Sequence, residues 1–517
     1  MTSKKRIMLP LAVLCLIVLT ASPVLAAEKS IVIGISGDSL FFDPQQNQET
    51  ITTSVCRHVY EPLVSRDPGG GAMEPCLAES WELDDDQVTW TFHLRKNVTF
   101  SNGAPFTAED VVYTIERARN YSTRNMVANM DRIEVLDPHT IKIITKTPSA
   151  VLLDYLVGLL IMNKEYTESI SFEEVNLKPM GTGPYVLLEW VKEDHMSFTA
   201  NKNYWGEAPA ITHVRMRPIT NAATRTAALL TGEVDIAEDI PVRDIARVEK
   251  TAGIDVVTRP SKFLMYLHID ANREPTPAIE GAVNPMKDPR VREAVSLGID
   301  RAIIAKVTMN GNAYPTGQLI LEGQRGYLPG LPLPEYNVEK ARALLKEAGY
   351  ENGFTVILDG PNGRYPNDGQ IAQALASQLA KIGITIELRL HPKSVFFDFV
   401  RPGDKSSLVL TGWSEYTDTG TMGNILFYTR DKTEGKGASN RCHYSNAEYD
   451  RLLDAADATA DVEKRRELLE ESSRVILGDY GVIPILFNQD VYGKKAKVHF
   501  VPRSDKEIHT FLFDIEE

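Results

Sequence analysis

The chain is predicted to be an α/β protein of several units, on three observations. A strand, a helix and a second strand follow one another between residues 354 and 390 at the spacing of a βαβ crossover, which implies parallel pairing of the two strands. Strand-type and helix-type patterns alternate along the chain with no low-complexity tract, no repeat of solenoid period and no long flexible linker. The composition, 43% hydrophobic and 24% charged, is that of a globular protein with enough apolar content for large cores. A length of 517 residues suggests about three domain-sized units.

Lys4, Lys5 and Arg6 form a positive start, an apolar run extends from Ile7 to Leu19, and the small residues up to Ala26 suit a signal peptidase. The apolar core is short of the roughly 20 residues a spanning helix needs, so cleavage after Ala26 and export are expected rather than a membrane anchor. Cleavage removes three basic residues and no acids, taking the formal net charge from −14 to −17. So acidic a surface argues against nucleic acid and anionic lipid as partners.

A first strand is expected from Ser30 to Ile35, ending in the polar turn Ser36-Gly37-Asp38-Ser39. From Val88 to Leu94 the alternation places Val88, Trp90, Phe92 and Leu94 on one face of a strand. Thr107-x-x-Asp110 has the form of a capping box, opening a helix with Val111, Val112 and Ile115 inward. In the second half, Asn337 caps a helix through Ala341, Leu344 and Leu345 that ends at Gly349. The βαβ unit follows: a strand from Phe354 to Leu358, a helix from Asp368 to Ile382, and a strand from Ile384 to Leu390. An apolar strand runs from Ser407 to Leu410, helices cover Ala447 to Thr459 and Val462 to Leu477, and a strand runs from Val482 to Phe487. Three cysteines remain after cleavage: Cys56, Cys76 and Cys442. A Cys56–Cys76 bridge and three free thiols both fit an oxidising compartment, because spacing alone does not bring side chains together.

Enzyme signatures fail on inspection. Gly37-Asp38-Ser39-Leu40 has the form of a GDSL-type nucleophile block, but no aspartate in the chain has histidine three residues later to supply the base. His-x-x-x-His and Cys-x-x-Cys spacings are absent, so no metal or other cofactor is expected. Gly181-Thr182-Gly183-Pro184 is a tight turn without the lysine of a phosphate-binding loop. The remaining signal is one of binding: Gly412-Trp413 leaves an apolar strand where α/β domains hold ligands, followed by Ser414-Glu415-Tyr416-Thr417-Asp418. The nearby carboxylates suit a cationic group such as a peptide amine. An aromatic lid over the core with solvated acids beyond it fits the same pattern.

Several strings in order resemble the solute-binding proteins of peptide, opine and nickel ABC transporters. They are Phe42-Asp43-Pro44 with Tyr60-Glu61-Pro62-Leu63-Val64, the long run from Leu77-Ala78-Glu79-Ser80-Trp81 to Phe106-Thr107-Ala108-Glu109-Asp110-Val111, and Gly181-Thr182-Gly183-Pro184-Tyr185 with Asn203-Tyr204-Trp205-Gly206. Further on come Gly232-Glu233-Val234-Asp235-Ile236, Asp288-Pro289-Arg290-Val291-Arg292-Glu293-Ala294, Ala341 to Ala348, and Tyr444-Ser445-Asn446.

The resemblance implies a two-lobed periplasmic binding protein with mixed sheets, a hinge between the lobes and an extra domain inserted in the first lobe. Lobe one would comprise 27–65, 183–262 and 489–517, the inserted domain 66–182 and lobe two 263–488, with crossings near Lys262 to Asp270 and Ile485 to Asp490. It implies a monomer in the periplasm that captures a small ligand, most readily a di- or oligopeptide, for permease and ATPase subunits at the inner membrane. An opine, a sugar, a nickel chelate or haem stay open as ligands, as does a sensor or chaperone-like role. In peptide-binding relatives an aspartate after the Gly-Trp pair holds the ligand amine. Here Gly412 and Trp413 match, the stretch is shorter, and Glu415 and Asp418 are the candidate anchors beside Tyr416. Backbone contacts would come from the loop holding Ser39, Leu40 and Phe41. Arg441 would either clamp a carboxylate or serve a structural ion pair.

Overall fold

The structure, a computed structural model, describes residues 29–516 apart from 47–48, 68–70, 277–282, 393–394, 402, 404, 415–416 and 434. The expected leader, together with Glu415 and Tyr416, lies outside the described residues.

Two long antiparallel strands organise the molecule: Ile254–Ile269, of 16 residues, and Val482–Lys495, of 14. At roughly 3.3 Å per residue the longer one spans about 50 Å, enough to belong to two separate cores. Towards one end they join Ile236–Ala237, Ser30–Ile35, His213–Pro218, His195–Ala200 and Tyr185–Val191. Towards the other they join Leu408–Ser414, Phe354–Asn362 and Ile384–Pro392. The result is a two-lobed protein whose lobes share a continuous mixed sheet. The first lobe packs Ile31, Ile33, Phe42, Tyr185, Phe198 and Tyr492 together. The second packs Met265, Leu267, Val356, Leu358, Leu375 and Ile485. Between the lobes the ladder shifts register at Pro260–Leu264, where proline supplies no N–H and the strands bend.

A third core belongs to a four-stranded antiparallel sheet in the order Ala78–Leu83, Thr89–Leu94, Thr140–Thr145 and Met130–Asp137, covered by the helix Ala108–Ala118. Trp90, Phe92 and Leu94 are buried together there, as the alternation requires. The capping box forms, with the Thr107 N–H donating to Asp110 Oδ2 at 2.9 Å. The βαβ unit is also present: Phe354–Asn362 and Ile384–Pro392 pair in parallel, with the helix Asp368–Ala380 between them in sequence. Asn337 caps Val338–Glu347 through Lys340 N at 2.9 Å, and Gly349 follows at φ +90°, a left-handed conformation that glycine adopts without strain.

The final apolar strand is more than twice its expected length, and Ile254–Ile269 has no expected counterpart beyond the crossing near Lys262. Cys56, Cys76 and Cys442 are free thiols. Among the described residues no helix is long and apolar enough to cross a membrane.

Candidate binding cleft

Between the lobes lie two cavities of about 810 and 720 Å³. Thr50 and Lys262 line both, so they are compartments of one cleft meeting at the crossing strands. The lobe-one wall is the start of the short helix Thr50–Cys56, whose first turn is held by Glu49 Oε2 accepting from Thr52 N at 3.1 Å. The lobe-two wall of the larger compartment is aromatic. Phe263 and Tyr365 stand with ring centroids 4.8 Å apart, next to Ser414. Gly412 makes this possible: a Cβ there would come within 2.1 Å of the Phe263 ring, and Tyr365 OH donates to the Gly412 carbonyl at 3.5 Å.

Trp413 lines neither compartment. Antiparallel pairing sets it opposite Leu264, and its half-buried ring packs on the cluster of Leu264, Tyr266 and Met422, whereas Ser414, one residue on, lines the cleft. Alternation along a strand sends consecutive side chains to opposite faces, and the serine has the cleft-facing parity.

Asp418 is not an available amine anchor. It is fully buried, caps the helix Thr419–Leu426 by accepting from Thr421 N at 2.9 Å, and is bound by Arg465 at 2.9 Å and Arg325 at 3.3 Å. The two guanidinium groups more than offset burial and hold its carboxyl well below the usual range. Ser39, Leu40 and Phe41 line neither compartment. Ser39 Oγ donates to the Phe41 carbonyl at 2.7 Å, and the turn is stapled to lobe one where Asp38 accepts from Trp190 Nε1 at 3.1 Å and Glu193 N at 2.7 Å. Arg441 is also away from the cleft. It is buried with its guanidinium 5.2 Å from the Phe397 ring centre, and it makes no ion pair among the described residues.

Sequence reasoning missed an acidic group on the lobe-one side: Glu238, Asp239 and Asp490 line the larger compartment with Lys506. Lys506 Nζ is 2.8 Å from Asp239 and 3.9 Å from Asp490. Burial pushes the Asp490 carboxyl up to about 6, Lys506 opposing and Asp239 and Glu238 reinforcing. Glu238 is raised as well, chiefly by burial, and accepts a hydrogen bond from Ser36 N. The signal available in the sequence was Asn488-Gln489-Asp490, a polar triplet inside an otherwise apolar run from Val482 to Tyr492.

In the smaller compartment, Glu61 is buried and accepts from Thr182 Oγ1 at 2.8 Å, Trp205 Nε1 at 2.8 Å and Tyr204 OH at 3.0 Å. Burial dominates and pushes its carboxyl up to about 7. Asp154 binds Arg66 on one side and Arg325 of lobe two on the other, the latter at 2.5 Å, so an ion-pair chain joins the 66–182 region to the loop carrying Asp418.

Known proteins resemble the chain over nearly its whole length. The glutathione-binding protein GsiB of Salmonella choleraesuis (strain SC-B67) is 29% identical over 480 residues, covering 90% of each chain. The structure of HbpA2 from Haemophilus parasuis superposes with a TM-score of 0.84 at 24% identity, over 94% of this chain and 100% of that one. The ABC transporter-associated periplasmic binding protein DppA from Helicobacter pylori, in complex with the peptide STSA, gives 0.69 at 25% identity, over 94% and 98%. Residues 72–435 match the family described as bacterial extracellular solute-binding proteins, family 5 Middle. With two lobes around a cleft and that match over most of its length, this chain belongs to the family 5 bacterial extracellular solute-binding proteins.

Proposed function

We propose that this protein is the periplasmic substrate-binding component of an ABC importer and that it captures a short peptide between its lobes for delivery to a permease. The observation that carries the reading is the cleft itself, two compartments of about 810 and 720 Å³ walled by both lobes and meeting at the crossing strands. Each is in the range of small-molecule sites. The aromatic pair Phe263 and Tyr365 offers apolar area, and Asn310, Asn312, Asn367 and Gln489 offer amide groups that suit a peptide main chain. The relatives' names support the same class, since one binds glutathione and another is seen with a peptide. On this reading lobe one is 27–65, 183–262 and 489–517, the inserted domain is 66–182 and lobe two is 263–488. Closure pivots where the register shifts at Pro260–Leu264 and the facing strand runs through Asn488-Gln489-Asp490. Ligand touching both walls binds the closed form better, and that differential affinity shifts the population towards it.

Thermal-shift titration of the mature protein, stripped of co-purified ligand by partial unfolding, tests this. Glutathione and di- to pentapeptides are set against opines, sugars, haem and nickel with and without chelator. A peptide at 100 times its Kd adds about 2.7 kcal/mol, a rise of a few degrees. A response confined to a non-peptide compound would replace the substrate and keep the transport role.

A further inference from the structure

Resting on that reading, we infer that the ligand carries a cationic group, an ammonium or guanidinium, which seats against Glu238, Asp239 and Asp490 in the larger compartment. Three carboxylates converge there on one ammonium. Lys506 contacts Asp239 at 2.8 Å and Asp490 at 3.9 Å, while Glu238 has no cation within ion-pair distance among the described residues and accepts from Ser36. Glu238 and Asp490 are 4% and 8% exposed, so water does little to screen the excess negative charge. Arg243 does not neutralise it, being 78% exposed and turned towards Asp244 at 3.8 Å; Glu49 adds a carboxylate that caps its helix, and Lys262 lines both compartments. Lys506 is the cation that bears on both Asp490 and Glu238.

Independent observations point to unmet polar groups. Ser504, 5% exposed and lining this compartment, has a buried hydroxyl with no hydrogen-bond partner among the described residues. Asn488 Oδ1, from the facing crossing strand, is a buried acceptor that is likewise unpartnered among the described residues. Buried acceptors without donors are costly, and an ammonium or guanidinium brings three to five N–H groups and the compensating charge. A neutral ligand would satisfy the acceptors in part and leave the carboxylates unbalanced.

The group has two chemical sources, a peptide's free amino terminus or a lysine or arginine side chain, and the test separates them. Calorimetry compares Ala-Ala-Ala with its N-acetyl form, and Ala-Lys-Ala with Ala-norleucine-Ala. Butylammonium against butanol probes the same place with no peptide present. In the unaltered protein the cationic member of at least one peptide pair binds more tightly by about tenfold, and butylammonium raises Tm where butanol does not. Acetylation sensitivity identifies the amino terminus; lysine preference identifies the side chain. The near-isosteric Glu238→Gln, Asp490→Asn double variant loses the discrimination with an unchanged circular dichroism spectrum, and Lys506→Met sharpens it. Equal binding of charged and neutral members, or discrimination that survives the double variant, overturns the inference while leaving peptide capture intact. Butylammonium stabilisation without any peptide binding supports the inference and removes the peptide reading. No response to either peptides or butylammonium overturns both.

Discussion

Asp418→Asn lowers stability by about 3–5 kcal/mol, a fall of roughly 10 °C in Tm for a lobe of this size. The carboxylate is fully buried, and its loss leaves Arg465, itself only 3% exposed at the side chain, and Arg325 facing each other without their shared counter-charge. The amide keeps the shape and can still accept from Thr421 N, so the measured loss reports mainly the ion pairing. Its sign with pH is also determined. The folded carboxyl lies below its ordinary value, so its contribution is fully present above the unfolded value near 3.8, declines as pH falls below that, and is lost as pH falls through the lower folded value. Thermal denaturation of the two proteins therefore diverges at pH 7 and converges in acid. Ligand affinity, measured at a temperature where both are folded, stays the same. A large loss of affinity with unchanged Tm would return Asp418 to the role of amine anchor.

Glu61→Ala costs about 3–5 kcal/mol by a different route, since it strands the buried donors of Thr182, Tyr204 and Trp205 around a small void. Glu61→Gln is milder and exposes the pH linkage. The folded carboxyl is raised from 4.5 to about 7, so its stabilisation is fully present below about 4.5 and is lost as pH rises through 7. Over that interval the protein should lose roughly 3 kcal/mol on account of this one group. Denaturant midpoints at pH 5 and pH 8 provide the check: the difference between them shrinks in Glu61→Gln. An unaltered difference would mean that Glu61 is ionised at low pH in the folded protein.

Local signals were legible wherever a few neighbouring residues decide the outcome. Thr107 with Asp110, Asn337 with Lys340, and the parallel pairing of 354–362 with 384–392 all follow from spacing and side-chain chemistry. The crossings were placed near Lys262 to Asp270 and Ile485 to Asp490 only through the resemblance, and the full length of the strands was not legible, because Arg259-Pro260-Ser261-Lys262 and Asn488-Gln489-Asp490 interrupt the apolar pattern. Those positions are polar because several of them face the cleft, and tertiary pairing carries the strand through them. Trp413 drew attention as the bulky residue at a strand exit, yet parity along the strand, a matter of one residue, turns Ser414 to the cleft. Asp239, Asp490 and Lys506 come from distant parts of the chain, and only the return of the second long strand across lobe one brings them together. Asp38 and Ser39, conspicuous in a motif, hold a turn against Trp190 and Glu193.

Capture between the lobes is tested most directly by amide hydrogen exchange of the mature protein with and without a saturating short peptide. Capture there slows exchange on both walls at once: the helix start at Thr50–Val55 and the Glu238–Val242 segment of lobe one, together with Tyr365–Asn367 and Ser414 of lobe two. Protection on one lobe alone, or on a surface away from the cleft, would contradict it.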